Sequence, residues 1–305
     1  MVDLGDVKAF LAVARAGSFS RAAEELATAK SVVSRRVTRL EGDLGTRLFT
    51  RSSKGVVPTE EGEALRVQAG GAFEQLDDAL QSAARRTGEL TGVLRITAPV
   101  AFGTAHLSSF LSDFMREHPR LSIDASFSDR RVDILADGVD VAVRMGALPD
   151  STLVARRIAP LRLAVLASPD YLARNGTPSR PRELLAHDCI VYGMPDGDLW
   201  RFREGERSTS VRITGRFRSD NPASILAAAL AGLGIAGLPT FMLGDAIATG
   251  ALTPLLTAFP IAEEALFALR PPGPPAAKTR AFIDALANRF GPEPYWDPCS
   301  RQDMG

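Results

Sequence analysis

The chain is 305 residues long, 45% hydrophobic and 24% charged, with 36 basic against 36 acidic side chains, a composition that allows two or three cored globular domains. No apolar run reaches the ~18 residues of a membrane span, the start MVDLGDVKAF has no basic or apolar export segment, and the distant Cys189 and Cys299 make neither a disulfide framework nor a zinc site, so a cytoplasmic chain with no membrane contact is expected. The zero net charge hides a segregation: residues 1–58 carry ten Lys/Arg against six Asp/Glu, residues 59–90 three against seven, and the remainder twenty-three of each.

Leu4, Val7, Phe10, Leu11 and Ala14 form a helical stripe that ends at Gly17. Two short helices are predicted next, about 21–27 with Ala22, Ala23 and Leu26 on one face, and about 30–40 with Val33, Val37 and Leu40 at i, i+4, i+7. Ser18 or Ser20 can cap the first and Thr28 the second. The turn between them favours the steep crossing of a helix-turn-helix. The second helix then presents Lys30, Ser31, Ser34, Arg35, Thr38 and Arg39, and a rod ~10–12 Å across fits the ~12 Å major groove of duplex DNA. A small helical hairpin whose charged face meets water satisfies the same pattern. Residues 48–51 and 56–59 flank Ser52-Ser53-Lys54-Gly55 as a β-hairpin wing, with Arg51, Ser53 and Lys54 placed for phosphates.

From Thr59 to about 89, Leu65, Ala69, Phe73, Leu76, Leu80 and Ala84 recur at helical spacing, a helix about thirty residues and ~45 Å long. A small winged domain is too short to cover that seam, so Leu65, Phe73, Leu76 and Leu80 are expected to pair with a second copy; a solvated linker is the alternative. Gly70-Gly71 costs about 1 kcal/mol per residue relative to Ala and predicts a close helix approach or a kink. Residues 85–88 read as a hinge.

Beyond it strand and helix alternate: a strand at 93–98, a helix at 102–117, strands at 121–127 and 139–144 on either side of a helix at 132–137. That order predicts a parallel α/β sheet. Apolar runs at 161–167 and 264–269 bracket a second unit holding strands at 189–192, 211–214 and 235–238 and a helix at 222–231. Two crossings, near 159–162 and 263–269, give a hinged cleft between two lobes. The run 232–237 matches GxGxxG, but a helix precedes it and a strand follows, the reverse of the dinucleotide order; Gly232 reads as a helix stop and no cofactor is expected. His106, His118 and His187 lack metal spacing, and no GxSxG, HExxH or Cys/His set supports catalysis, so no catalytic residue and no metal is assigned.

In Phe10-Leu11-Ala12-Val13, Ala16-Gly17-Ser18-Phe19, Ala22-Ala23-Glu24-Glu25-Leu26, Val33-Ser34-Arg35, Arg39-Leu40-Glu41, Arg47-Leu48-Phe49 and Pro58-Thr59-Glu60-Glu61-Gly62 the chain resembles the N-terminal module of LysR-type transcriptional regulators. GVLRITAPVAF at 92–102, Ser128-Asp129-Arg130, Ala167-Ser168-Pro169 and GLGIAGLP at 232–239 resemble the effector-binding portion of the same family. One departure is Ala29-Lys30, where the family commonly has Ser-Gln. Gln pairs bidentately with adenine, whereas Lys prefers guanine or a phosphate.

The resemblance implies an α/β multidomain chain: a winged helix-turn-helix over 1–59, a linker/dimerisation helix over 60–90, a bilobed periplasmic-binding-protein-like effector domain over 91–291 and a flexible tail over 292–305. Lobe 1 is about 91–161 with 269–291, and lobe 2 about 162–268. Lys30, Ser31, Val32, Ser34 and Arg35 would meet base edges or nearby phosphates. Arg36, Arg39, Arg51, Ser53, Lys54 and Thr59 would anchor the backbone, some of them serving internal ion pairs instead, and Ser20 and Arg21 would be further DNA contacts. A homodimer assembling to a homotetramer on a pseudo-palindromic operator is implied, with RNA polymerase as a partner in activation. In the cleft, helix N-termini after Ala98-Pro99-Val100-Ala101 and Ser219-Asp220-Asn221-Pro222 would face an anion, worth ~0.3–1 kcal/mol per charge. Ser128 and Arg144 would add a hydroxyl and a cation, and Pro99, Val100 and Phe102 an apolar wall. The expected effector is a small organic acid; Arg144 paired with Asp129 or Asp140 is the alternative. The rival reading of the whole is a bilobed small-molecule-binding protein or enzyme whose N-terminal helices serve protein association.

Overall fold

The computed structural model describes residues 2–52, 55–84, 89–130, 132–135, 137–146, 148, 151–194, 196–205 and 207–297. Helix α1 (Leu4–Ala16) starts where the Asp3 carboxylate accepts from the Gly5 amide at 2.6 Å and stops where Gly17 turns left-handed at φ 60°. Then come α2 (Phe19–Glu25) and α3 (Lys30–Leu44), the latter running past its expected end until Gly45, at φ 70°. The expected side-chain caps do not form. Ala27 turns left-handed at φ 48° and the Thr28 amide bonds back to the Ala23 carbonyl at 2.9 Å. Thr28 is thereby used in ending α2, and Ala29, with no side-chain acceptor, starts α3.

Strands β1 (Phe49–Ser52) and β2 (Gly55–Pro58) pair antiparallel as a wing. The Thr59 hydroxyl donates to the Arg47 carbonyl at 2.7 Å and accepts from the Gly62 amide at 3.0 Å, capping α4 (Glu60–Ala84). Here α4 crosses the wing so closely that a Cβ on Gly62 would stand 2.1 Å from the Leu48 oxygen. Val7, Phe10, Val13, Ala22, Val33, Val37 and Leu40 form the buried core, and Leu65, Ala69 and Phe73 of α4 pack on it. Each such aliphatic or aromatic side chain contributes roughly 1.5–3 kcal/mol when fully buried, enough to seat the first turns of α4 on their own domain. Leu65 and Phe73 are half-buried against their own domain, so part of the seam expected to pair with a second copy is covered within the chain. The helix is continuous through Gly70, where a Cβ would meet nothing within 4 Å inside the chain.

Lobe 1 is built on β3 (Gly92–Ala98), β4 (Leu121–Phe127), β5 (Val141–Met145), β6 (Val154–Leu161) and, after an excursion, Glu264–Arg270. Its order is β4-β3-β5-(264–270)-β6. The first three are parallel, but the returning strand is antiparallel to β5 and to β6, so the sheet is mixed where a parallel one was expected. The crossover after β3 is one continuous rod, α5 (Val100–Phe102), a π turn (Gly103–Leu107) and α6 (Ser108–Glu117). The expected helix at 132–137 is replaced by turns: the Asp133 carboxylate accepts from the Leu135 amide, and Gly138 sits at φ 64°. The Leu135 carbonyl is taken by Arg66 of α4, Nη2 to O 2.7 Å.

Lobe 2 comprises β7 (Leu163–Ala167), α7 (Pro169–Asn175), β8 (Cys189–Tyr192), the hairpin β9 (Leu199–Glu204) and β10 (Arg207–Arg212), β11 (Phe217–Ser219), α8 (Pro222–Leu230), β12 (Ile235–Pro239), α9 (Gly244–Ala248) and β13 (Thr253–Leu255). Its sheet order is β11-β8-β12-β7-β13. Gly232, at φ 72°, ends α8 and leads into β12. The chain crosses at Arg162 and returns at Glu263, so that β14 (Glu264–Arg270), which carries residues assigned from sequence to lobe 2, belongs wholly to lobe 1. Helix α10 (Ala277–Phe290) closes lobe 1.

The flexible tail expected over 292–305 is corrected in its first part, and residues 298–305 lie outside the described residues. Residues 292–297 fold back on lobe 1, where the Trp296 ring lies tilted 5.5 Å from Phe290 and the Asp297 side chain is buried against Arg162.

Candidate nucleic-acid interface and effector cleft

On α3, Val33, Val37 and Leu40 turn inward, and this fixes what faces out. Lys30, Ser31, Ser34 and Arg35 are exposed, with Val32 half-buried beside them. Neither Lys30 nor Arg35 has a carboxylate partner among the described residues. Ser20 and Arg21 of α2 are likewise exposed. Three expected anchors are turned elsewhere. Arg39 forks onto the buried Asp6, Nε to Oδ2 2.5 Å and Nη2 to Oδ1 2.6 Å. Arg36 reaches the Gly5 carbonyl at 3.5 Å, and the Thr59 hydroxyl is committed to its cap. Arg51 lies on β1, paired with Val56 in the backbone ladder; Ser53 and Lys54 lie outside the described residues. Between α3 and the wing an open groove of about 780 Å³ is lined by Thr38, Glu41, Thr46, Arg47 and Thr50. Exposed Arg47 was no separate candidate in the sequence, because nothing local marks where the turn after Gly45 will point it. On α4, Leu76 is exposed beyond the domain core, and the side chain of Leu80 is outside the described set.

In the second half, strand ends bring Thr97, Ser128, Arg144, Tyr192 and Ser219 toward the region between the lobes. Leu94, Ile96, Ala98, Val141 and Val143 face the lobe 1 core, so Thr97 and Arg144 project from the other face of adjacent strands. Arg144 donates from Nη1 to the Val143 carbonyl at 3.1 Å, while its Nη2 and the Thr97 hydroxyl are buried with no hydrogen-bond partner among the described residues. Burial pulls the Arg144 guanidinium below its usual range, against a smaller opposing pull from Asp129. Across the opening, burial pushes the Tyr192 phenol upward, helped by Asp129 and Asp220. Asp129 thus acts on a cation of one lobe and a phenol of the other, and neither Thr97 nor Tyr192 was a candidate from sequence. Their only sequence signal is position at a strand's C-terminal end.

Several expectations for this cleft change. Phe102 is fully buried among Phe241, Phe290 and Trp296, so it supports the wall from behind. Pro99, Val100 and Ala101 remain half-buried at the edge. The Val100 amide already donates to Asp129 Oδ1 at 3.1 Å. Asn221 caps α8 itself, accepting from the Ala223 and Ser224 amides at 2.8 and 3.3 Å, and Pro222 has no N–H to offer. Ser128 and Ser219 spend their hydroxyl oxygens on the Arg130 and Asn221 amides. The helix N-termini are therefore largely satisfied from within, and the unfilled donors are those of Arg144 and Thr97.

The family model described as bacterial regulatory helix-turn-helix protein, lysR family, matches residues 4–63, and that described as LysR substrate binding domain matches residues 87–291. The chain belongs to the LysR family of transcriptional regulators. This LysR regulator is 33% identical over 296 residues to the HTH-type transcriptional regulator PtxR of Pseudomonas aeruginosa, covering 96% of this chain and 95% of that one. Among solved structures it resembles CrgA, a LysR-type transcriptional regulator from Neisseria meningitidis, with TM-score 0.59 and 29% identity over 95% of this chain and 100% of the other. It likewise resembles AphB, a Vibrio cholerae virulence activator, with TM-score 0.57 and 25% identity over 94% of this chain and 99% of the other. The LysR regulator thus joins a DNA-binding helix-turn-helix half to an effector-binding half, and the rival reading of its N-terminal helices as an association module finds no support in these relatives. Among the described residues no helix is long and apolar enough to cross a membrane, and no group of three or more His, Cys, Asp or Glu is placed to hold a metal.

Proposed function

We propose that this LysR regulator acts in the cytoplasm on a pseudo-palindromic operator, two copies of α3 entering successive major grooves about 34 Å apart. Lys30, Ser31, Val32, Ser34 and Arg35 meet base edges or adjacent phosphates. Ser20, Arg21, Arg47, Arg51, Ser53 and Lys54 hold the backbone. Dimers form along α4 beyond Phe73, where Leu76 and Leu80 continue the seam, and join into tetramers; RNA polymerase is the further partner where the outcome is activation. What supports the DNA reading is the exposed, unpaired charge of Lys30 and Arg35 beside Arg39, whose charge is consumed internally.

The effector in this reading is a small organic acid, its carboxylate accepting from Arg144 and Thr97. One observation carries it: two buried donors on one sheet face have no acceptor, and each costs roughly 1–3 kcal/mol when left so. An anion that supplies the acceptor binds one lobe arrangement better than another, and that difference shifts the population. The role asks for recognition and no reaction, so no acid–base set is assigned. Isothermal titration of the full chain with aliphatic and aromatic carboxylates should give heat that Arg144→Ala abolishes. No heat from any acid, or the same heat from the variant, sinks the assignment.

A further inference from the structure

Two segments join the lobes, at Arg162 between β6 and β7 and at Glu263 before β14. The Arg162 guanidinium serves three carboxylates: Nε lies 3.2 Å from Glu263 Oε2, and Nη1 lies 2.9 Å from Glu293 Oε2 and 3.0 Å from Asp297 Oδ2. Its carbonyl accepts from the Thr240 amide at 2.9 Å and hydroxyl at 3.3 Å, and Thr240 directly follows the central strand β12 of lobe 2. One residue thus ties the first crossing to the second, to the lobe 2 sheet and to the segment beyond α10.

That segment is also fastened to lobe 1. The Trp296 ring lies 4.6 Å from His106, and the Tyr295 hydroxyl lies 2.7 Å from His106 Nδ1. His106 sits in the π turn and its Nε2 meets the Phe241 carbonyl at 3.0 Å. Phe241, one residue past Thr240, leaves the lobe 2 sheet to pack in the lobe 1 core. The ends of residues 292–297, at Glu293 and Asp297, therefore hold Arg162 at the crossing, while Tyr295 and Trp296 between them hold His106 of lobe 1 and Trp296 meets Phe241, which follows the lobe 2 sheet.

We propose that residues 292–297 clamp the interlobe hinge, with Arg162 as the bolt, and so set the lobe angle from which the effector must work. The proposal rests on the reading that the lobes change angle. An isolated surface ion pair contributes little, but one guanidinium shared among charge-assisted bonds fixes geometry as well as energy. Contacts made in one arrangement alone bias the equilibrium toward it. Loosening the clamp therefore widens the range of lobe angles with no effector and no DNA present.

Hydrogen exchange of the full, ligand-free chain tests this. Arg162→Ala should speed exchange at the amides of 240–243 and at β7 by about tenfold, while amides of α1 and the central strand β3 keep their rates. Glu293→Gln, an exposed change that leaves the aromatic packing alone, should act in the same direction by less, and the same-lobe control Arg156→Ala, which breaks only the Arg156–Asp284 pair, should not. Unchanged exchange at 240–243 in both clamp variants overturns the proposal, and so does a uniform rise that includes β3, which would mark Arg162 as a general prop. Because no effector enters the measurement, failure to find an effector leaves it untouched.

Discussion

The Asp6 carboxylate is almost wholly buried in α1, and Arg39 reaches it from α3 with two parallel bonds of 2.5 and 2.6 Å. A fork on a carboxylate is among the strongest charge-assisted contacts, and a buried carboxylate stripped of its partner is strongly penalised. Arg39 is therefore a brace that sets the angle of the reading helix. Arg39→Ala should lower the thermal midpoint, and Asp6→Asn combined with it should cost less than the two single losses added. A double-mutant cycle by calorimetry measures the shortfall; strict additivity would mean that the two side chains do not work together.

Arg35 is free to reach DNA. Arg35→Ala should leave the melting curve in place and weaken operator binding by about 1–3 kcal/mol if it reads a base. If it meets a phosphate instead, the slope of log K against log salt should fall by about one. Gel-shift titrations at several salt concentrations separate the two outcomes, and an unchanged titration counts against α3 as the reading helix.

Gly62 has no room for a side chain, since a Cβ would stand 2.1 Å from the Leu48 oxygen. Gly62→Ala should push α4 off the wing and cost on the order of 2 kcal/mol or more, as overpacking commonly does. Urea unfolding of the winged half, followed by far-ultraviolet dichroism, reads this; a midpoint equal to wild type would show that α4 does not need that crossing.

Burial holds the His106 imidazole below its usual range, against a smaller opposing effect of the Phe241 carbonyl. The unfolded chain then binds the proton more readily, so this residue's contribution is complete above the ordinary histidine value near ~6.5 and declines as pH falls from there toward the lower folded value. The slope it adds is at most about 1.4 kcal/mol per pH unit. Unfolding midpoints at pH 8 and pH 5.5 should differ more in wild type than in His106→Gln; parallel behaviour would remove His106 from the account.

Burial pushes the Cys189 thiol up to about 12, and the thiolate is the reactive form. In a Cys299→Ser background the native protein should resist Ellman's reagent and react fully once unfolded. Rapid labelling of the native form would contradict the packing around β8.

Periodicity made the DNA-binding half legible. Val33, Val37 and Leu40 at helical spacing fixed the inner face of α3 and, by difference, the outer one. What the spacing could not supply was the destination of each cation. Arg39 and Arg35 look alike in sequence, and only α1, more than thirty residues away, supplies the Asp6 that claims one of them. The same limit holds in the cleft. Asn221 reads as a ligand until α8 has formed over it and takes it as a cap, and Phe102 reads as a wall until Trp296 arrives from behind. The segment 292–297 reads as a tail because its two prolines and flanking polar residues show no period; its fastening depends on contacts with Arg162 and His106, more than a hundred residues upstream.

Arg66 rises from α4 to the Leu135 carbonyl of lobe 1, largely buried and also held by Glu63. Arg66 stands less than two turns from the start of α4 at Glu60, on the stretch whose Leu65 and Ala69 pack on the winged half. The bond to lobe 1 is thus made where the winged half itself holds the rod, so the two halves of the chain share one anchorage at its base.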